Sequence, residues 1–93
     1  MLVEPLTPVD ARRLIGAILD EGSVTFSSHA LKELEKDDLT TVDAVNMLRG
    51  GIVEPGEFEN GSWRYRVRTA RMCVVVAFRS ETELRIVTAW RFR

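Results

Sequence analysis

The side chains best suited to chemistry in this chain are arginines spaced two residues apart. Arg64, Arg66 and Arg68 alternate with Trp63, Tyr65 and Val67, while Arg85 and Arg91 sit opposite Leu84, Ile86 and Trp90 in a later segment. Residues i and i+2 of a strand leave by one face, so each arginine set belongs to one side of a sheet. A guanidinium offers a planar fork of donors that matches a phosphate, whereas an ammonium is a point charge. If both segments share a sheet whose apolar face packs on helices, the arginines converge on the other side. Such a surface attracts a phosphate backbone, with affinity that falls as salt rises. A half-buried sheet must also show polar residues to water, and arginine meets that plainer need too. Tyr65 and Trp90 could stack unpaired bases, although the alternation places both on the core side.

The second set centres on His29, the single histidine. His29, Lys32, Glu33 and Lys36 recur at i, i+3, i+4 and i+7, so a helix puts them on one side and Leu31 and Leu34 on the other. An imidazole beside a lysine and a carboxylate could move protons near neutral pH. The same pattern also describes a solvated helix face with a weak i, i+4 ion pair. One histidine and one cysteine cannot build a zinc site, the carboxylates are too scattered for a metal cage, and no glycine-rich phosphate loop occurs. No metal or cofactor is expected.

Helices and strands that would hold these groups are signalled in order along the chain. Thr7 caps a first helix with Pro8 at its first position and Asp10 in the first turn, and Gly22 ends it. Val24-Thr25-Phe26-Ser27 alternates as a short strand. Ser27 or Ser28 caps a second helix through Lys36, and Thr40 with Asp43 forms a capping box for a third, Val42 to Arg49. From Ile52 the period becomes two. Ile52-Val53-Glu54 is a short strand, Pro55-Gly56 a turn, and Asn60-Gly61 the strongest hairpin signal. Arg71 to Phe78 is a valine-rich central strand, and Leu84 to Arg91 closes the chain. The reading is one α+β domain over residues 1–93, α-β-α-α-β-β-β, with N-terminal helices packed on a C-terminal antiparallel sheet.

Composition narrows the class. The net charge of −1 conceals an asymmetry: residues 1–60 carry five Lys/Arg against twelve Asp/Glu, and residues 61–93 carry eight Arg against two Glu. This sign asymmetry hints at an anionic partner for the back half. Cys73, alone within Met72-Cys73-Val74-Val75-Val76, excludes an internal disulfide and reads as a small buried residue. No apolar run approaches the roughly 18 residues of a membrane helix, and the first residues lack a signal-peptide pattern. A cytoplasmic location is expected.

The succession of pieces resembles a known group. The segment Phe26-Ser27-Ser28-His29-Ala30, the helix with Glu33 and Lys36-Asp37, the strand Trp63-Arg64-Tyr65-Arg66-Val67 and the closing Val87-Thr88-Ala89-Trp90-Arg91 are similar to bacterial toxin-like proteins of the MqsR/RelE type. The resemblance covers roughly residues 8–92. It implies the toxin of a toxin–antitoxin pair, a metal-independent endoribonuclease (a hydrolase) that cleaves mRNA. Under that implication Arg64, Arg66 and Arg91 would clamp the scissile phosphate. His29 or Lys36 would handle protons as the 2′-hydroxyl attacks, and Tyr65 or Trp90 would hold a base. Lys32, Arg68 and Arg85 would extend the RNA-binding surface. The implied partners are RNA and a cognate antitoxin, in MqsR-like cases often one with a small zinc-binding module. The acidic front half departs from the basic character of many such toxins. Two other readings stand beside this one: a non-catalytic module that binds RNA or an acidic protein, and a domain that forms a homodimer through an exposed edge strand.

Overall fold

Helix starts are fixed by side-chain oxygens that take up free backbone N–H groups. In the computed structural model, which describes residues 1–92, α1 spans Pro8–Glu21, α2 Ser28–Lys36 and α3 Thr41–Gly50. Thr7 Oγ1 accepts from the Asp10 N–H at 3.1 Å and Ser27 Oγ from the Ala30 N–H at 2.9 Å. Thr40 and Asp43 form the full capping box at the start of α3. Hydrogen bonds from Thr40, its backbone N–H first, hold the Asp43 carboxyl below its ordinary pKa. Each cap contributes about 1 kcal/mol.

The strands are β1 (Ser23–Phe26), β2 (Ile52–Val53), β3 (Glu57–Glu59), β4 (Ser62–Arg68), β5 (Met72–Ser80) and β6 (Glu83–Arg91). They make one sheet in the order β1-β6-β5-β4-β2, with β3 also paired to β4. The Asn60-Gly61 turn joins β3 to β4, with both residues at positive φ, 49° and 82°. A left-handed pair of this kind matches the twist of a hairpin and suits asparagine and glycine. The fold is α+β, as the sequence indicates, but its sheet is mixed rather than antiparallel. Strand β1 runs parallel to β6, pairing Ser23 with Glu83 through Phe26 with Ile86. A four-residue strand carries no directional signal, and its partner lies some sixty residues away, with Ser23 facing Glu83.

The helices cover one face of the sheet. Ala11, Ile15 and Ile18 of α1, Ala30 and Leu34 of α2 and Ala44, Met47 and Leu48 of α3 form a single core with Tyr65, Val67, Val74, Val76, Phe78, Leu84, Ile86 and Ala89. Burying an aliphatic side chain of this size contributes about 1.5–3 kcal/mol. Tyr65 is fully buried, and its hydroxyl donates to Glu4 Oε2 and accepts from the Leu6 N–H, both at 2.9 Å. Burial pushes the phenol up to about 12. The Arg12 guanidinium crosses from α1 to donate to the Leu48 carbonyl near the end of α3, where a cation also meets the negative end of the helix dipole. Among the described residues, no helix is long and apolar enough to cross a membrane.

One irregularity redirects the end of β6. Val75 pairs with Thr88 but Val76 pairs with Ile86, which leaves Val87 as an extra residue. Ser27 holds this bulge, because its backbone N–H donates to the Ile86 carbonyl at 3.0 Å and its hydroxyl to the Val87 carbonyl at 2.6 Å. A bulge shifts the alternation by one residue. Leu84 and Ile86 therefore point to the core before it and Ala89 after it, while Thr88 and Trp90 turn to the face without helices. The simple alternation, which put Trp90 in the core and Arg91 outside, is corrected by this one residue.

Candidate functional site

The face of the sheet without helices is a trough with a floor of small residues. Central strand β5 supplies Cys73, Val75 and Ala77, which are only 2%, 6% and 7% exposed although no helix lies over them. Long side chains on the flanking strands bury them. Arg68 pairs with Cys73 and Cys73 with Trp90; Arg66 pairs with Val75 and Val75 with Thr88. On the next row Ala77 pairs with Arg85, and one further step of the β4–β5 register sets Arg64 on its other side. Arginine stems thus cover apolar floor while their heads stay in water. Burial pushes the Cys73 thiol up to about 11, so it is a poor nucleophile at neutral pH.

Charge divides the trough into two ends. At one end Arg66 reaches Glu57 at 3.6 Å and Arg68 reaches Glu54 at 3.1 Å. Glu57 opens β3, and Glu54 follows β2, where its backbone N–H donates to the Arg66 carbonyl at 2.9 Å. At the other end Arg64, Arg79 and Arg85 line a cleft of about 510 Å³ with Ala77, Val87 and Ser27. Among the described residues none of these three arginines has a carboxylate at ion-pair distance. Arg64 Nε makes only a long 3.4 Å bond to Ser62 Oγ. Neighbouring strands lie about 4.8 Å apart, so Arg64 and Arg85 stand on backbones roughly 10 Å from each other across Ala77. Their guanidinium groups, with that of Arg79, are free to take an anion as bidentate donors.

Arg64, Arg66, Arg68 and Arg85 all share this face, as the sequence pattern requires. Trp90 joins them, half-buried, through the bulge. Tyr65 does not: it is locked in the core and cannot meet a base. Arg91 lies away from the trough, lining a cleft with Asp43, Asn46 and Arg71 beside α3, while its backbone N–H donates to Asp37 Oδ2 at 2.9 Å. Its proposed role at the phosphate is therefore set aside. His29 and Lys32 are exposed on α2, and Lys36 is exposed in its last turn. His29 and Lys36 stand seven positions apart on α2, about 10 Å of helix rise. Of the pair, His29 is nearer the trough along the chain, two residues beyond Ser27, which lines the Arg64 cleft.

Sequence reasoning passed over Arg79, Ser27, Glu57 and Glu59. Arg79 had a usable signal: counting by two from Cys73 reaches it on the same face. The two glutamates had one as well: the Asn60-Gly61 hairpin sets Glu59 opposite Ser62 and Glu57 opposite Arg64, on the face of the arginines. No group of three or more His, Cys, Asp or Glu side chains among the described residues could hold a metal ion. Comparison of the chain with protein-family models, with curated proteins and with solved structures finds no match.

Proposed function

We propose that the protein binds single-stranded RNA along the uncovered face of its sheet. The observation that carries this reading is the trio Arg64, Arg79 and Arg85, unpaired around Ala77 and continuous with a half-buried Trp90 on the same face. Sheet faces that combine arginine with an accessible aromatic suit a single strand, whose phosphates take the cations and whose unstacked bases take the ring. Three phosphate contacts predict a slope of about −2 in log K against log salt. Titration of a labelled RNA of about eight nucleotides across about 50–200 mM salt tests it. A salt-independent signal, or none from well-folded protein, removes the reading. A matched DNA strand in parallel measures what the 2′-hydroxyl contributes.

A second reading makes the same face catalytic, as in the toxin endoribonucleases that the sequence resembles. It is favoured by Ser27, which caps the helix carrying His29 and also lines the Arg64 cleft. In that case Arg64 would stabilise the charge on the phosphate and His29 would move the proton, while an antitoxin covered the trough. Incubation with RNA in excess chelator separates the readings. Cleavage that disappears in His29→Ala supports the toxin; intact RNA that is nonetheless bound leaves the binding module.

A further inference from the structure

Beside the free arginine cleft lies a second, smaller pocket, which shares Arg64 with it. Trp90 and Val75 form its base, Arg64 and Arg66 its near wall, and Glu57 and Glu59 its rim. Its volume of about 80 Å³ admits the edge of a base and not a whole nucleotide. Two kinds of hydrogen-bonding group meet in it. The arginines can only donate, and the carboxylates can only accept. Arg66 and Glu57 lie 3.6 Å apart as an ion pair, which puts a donor and an acceptor side by side. Glu59, by contrast, is exposed and has no ion-pair partner among the described residues.

We infer that this pocket selects guanine among the bases of a bound strand, with Glu57 and Glu59 as specificity-determining residues. The inference rests on the RNA-binding reading and sharpens it. A base stacked on the Trp90 indole would point its edge at the arginine–glutamate pair. Guanine presents the O6 acceptor next to the N1–H and N2–H donors, so Arg66 can donate to O6 while a carboxylate accepts from both N–H groups. Arginine is also the commonest partner of guanine O6 and N7. Uracil offers only a single N–H between two carbonyls, and a carboxylate facing a carbonyl repels it. Adenine offers N1 as the acceptor and a single N6–H beside it on that edge, so a carboxylate gains one hydrogen bond where guanine gives it two.

The carboxylates should also act in the opposite sense on the backbone. A negative rim disfavours phosphate, so removing it strengthens binding of any RNA while it weakens discrimination. That opposite pair of effects separates a base-reading role from a merely structural one. The test uses intact protein and RNAs of about eight nucleotides, all uridine or uridine with one central guanosine, adenosine or cytidine. Wild-type protein should bind the guanosine strand about fivefold tighter than all-uridine, the low end for a carboxylate–base contact at an exposed rim. Glu57→Gln with Glu59→Gln should bring the four strands to within twofold of one another (about the spread of stacking alone) and tighten all-uridine binding. Equal affinity of wild-type protein for all four strands, with binding itself retained, overturns the guanine inference and leaves RNA binding standing. Loss of affinity for every strand in the double variant assigns the glutamates to structure and also overturns it. No binding of any strand by folded wild-type protein removes the RNA reading itself. Circular dichroism on the double variant checks folding, and the single variants Glu57→Gln and Glu59→Gln preserve the test if the double variant is unstable.

Discussion

The two faces of β5 are buried to nearly the same degree by opposite means. On one side Val74 and Val76 lie under helices, among aliphatic side chains. On the other Cys73, Val75 and Ala77 are covered by arginine stems and the flank of β6. The first cover is permanent and apolar. The second ends in charged heads that can turn toward a ligand. Burial alone therefore does not separate core from site in this domain, and the chemistry of what does the burying does.

The helix side carries the larger share of the stability. Ile86→Ala, from a fully buried position, should cost about 2–5 kcal/mol through lost transfer energy and a residual cavity. Arg66→Ala, which uncovers part of Val75, should cost under about 1 kcal/mol, as an exposed ion pair and a stem contribute little. Urea denaturation of both measures the ratio. Equal losses would mean that the two covers are energetically alike. On the trough side the order reverses: Arg64→Ala with Arg85→Ala should weaken RNA binding at least tenfold and flatten the salt slope by about 1.4 for two lost contacts. Arg66→Ala and Arg68→Ala, whose charges are already neutralised by Glu57 and Glu54, should weaken binding of an all-uridine strand by less than about threefold, since a paired cation releases fewer counterions.

Tyr65 sharpens the contrast through pH. Its phenol is raised from 10.0 to about 12 by burial, so the folded state holds the proton more tightly than the unfolded chain. That contribution is complete below pH 10 and is lost as pH rises from 10 toward 12. Tyr65→Phe should remove this component of the alkaline slope. It should also cost about 1–3 kcal/mol at neutral pH, because the Leu6 N–H and Glu4 lose their partner. An unchanged alkaline limb would contradict the assignment, and the chain has only one tyrosine to confuse it. A smaller effect is expected at Ser27, whose hydroxyl serves both the α2 cap and the Val87 bulge. Ser27→Ala should cost about 1–2 kcal/mol. It should also shift Trp90 emission, since the bulge that turns the indole outward loses a bond; unchanged emission would mean that the bulge stands without it.

Much of this arrangement can be read from residues one at a time. Thr7, Ser27 and Thr40 announce three helix starts, Asn60-Gly61 a hairpin, and the alternation from Trp63 to Arg68 the two faces of β4. What escapes is whatever depends on a partner strand. The direction of β1 is set by β6, not by its own four residues. The extra residue at Val87 is visible only against β5, yet it decides that Trp90 faces the arginines and Arg91 does not. Arg64 and Arg66 look equivalent in the alternation and differ in the fold, where Arg66 meets Glu57 and Arg64 meets no carboxylate at ion-pair distance among the described residues. His29 shows the converse: its helix-face pattern is legible, and in the fold that pattern amounts to exposure on α2.

The chain carries two tryptophans, one for each face, and they provide the sharpest test. Trp63 packs against the helix-side core beside Phe58, with ring centroids 5.3 Å apart, whereas Trp90 lines the trough. Titrating a single-stranded RNA into isotopically labelled protein, and following both indole N–H resonances, reads the two faces in one experiment. The account predicts that the Trp90 indole N–H shifts with the arginine side chains of β4 and β6 while that of Trp63 stays in place. Movement of Trp63 alone, or of the residues lining α1 and α3, would place the ligand on the wrong side of the sheet and contradict it.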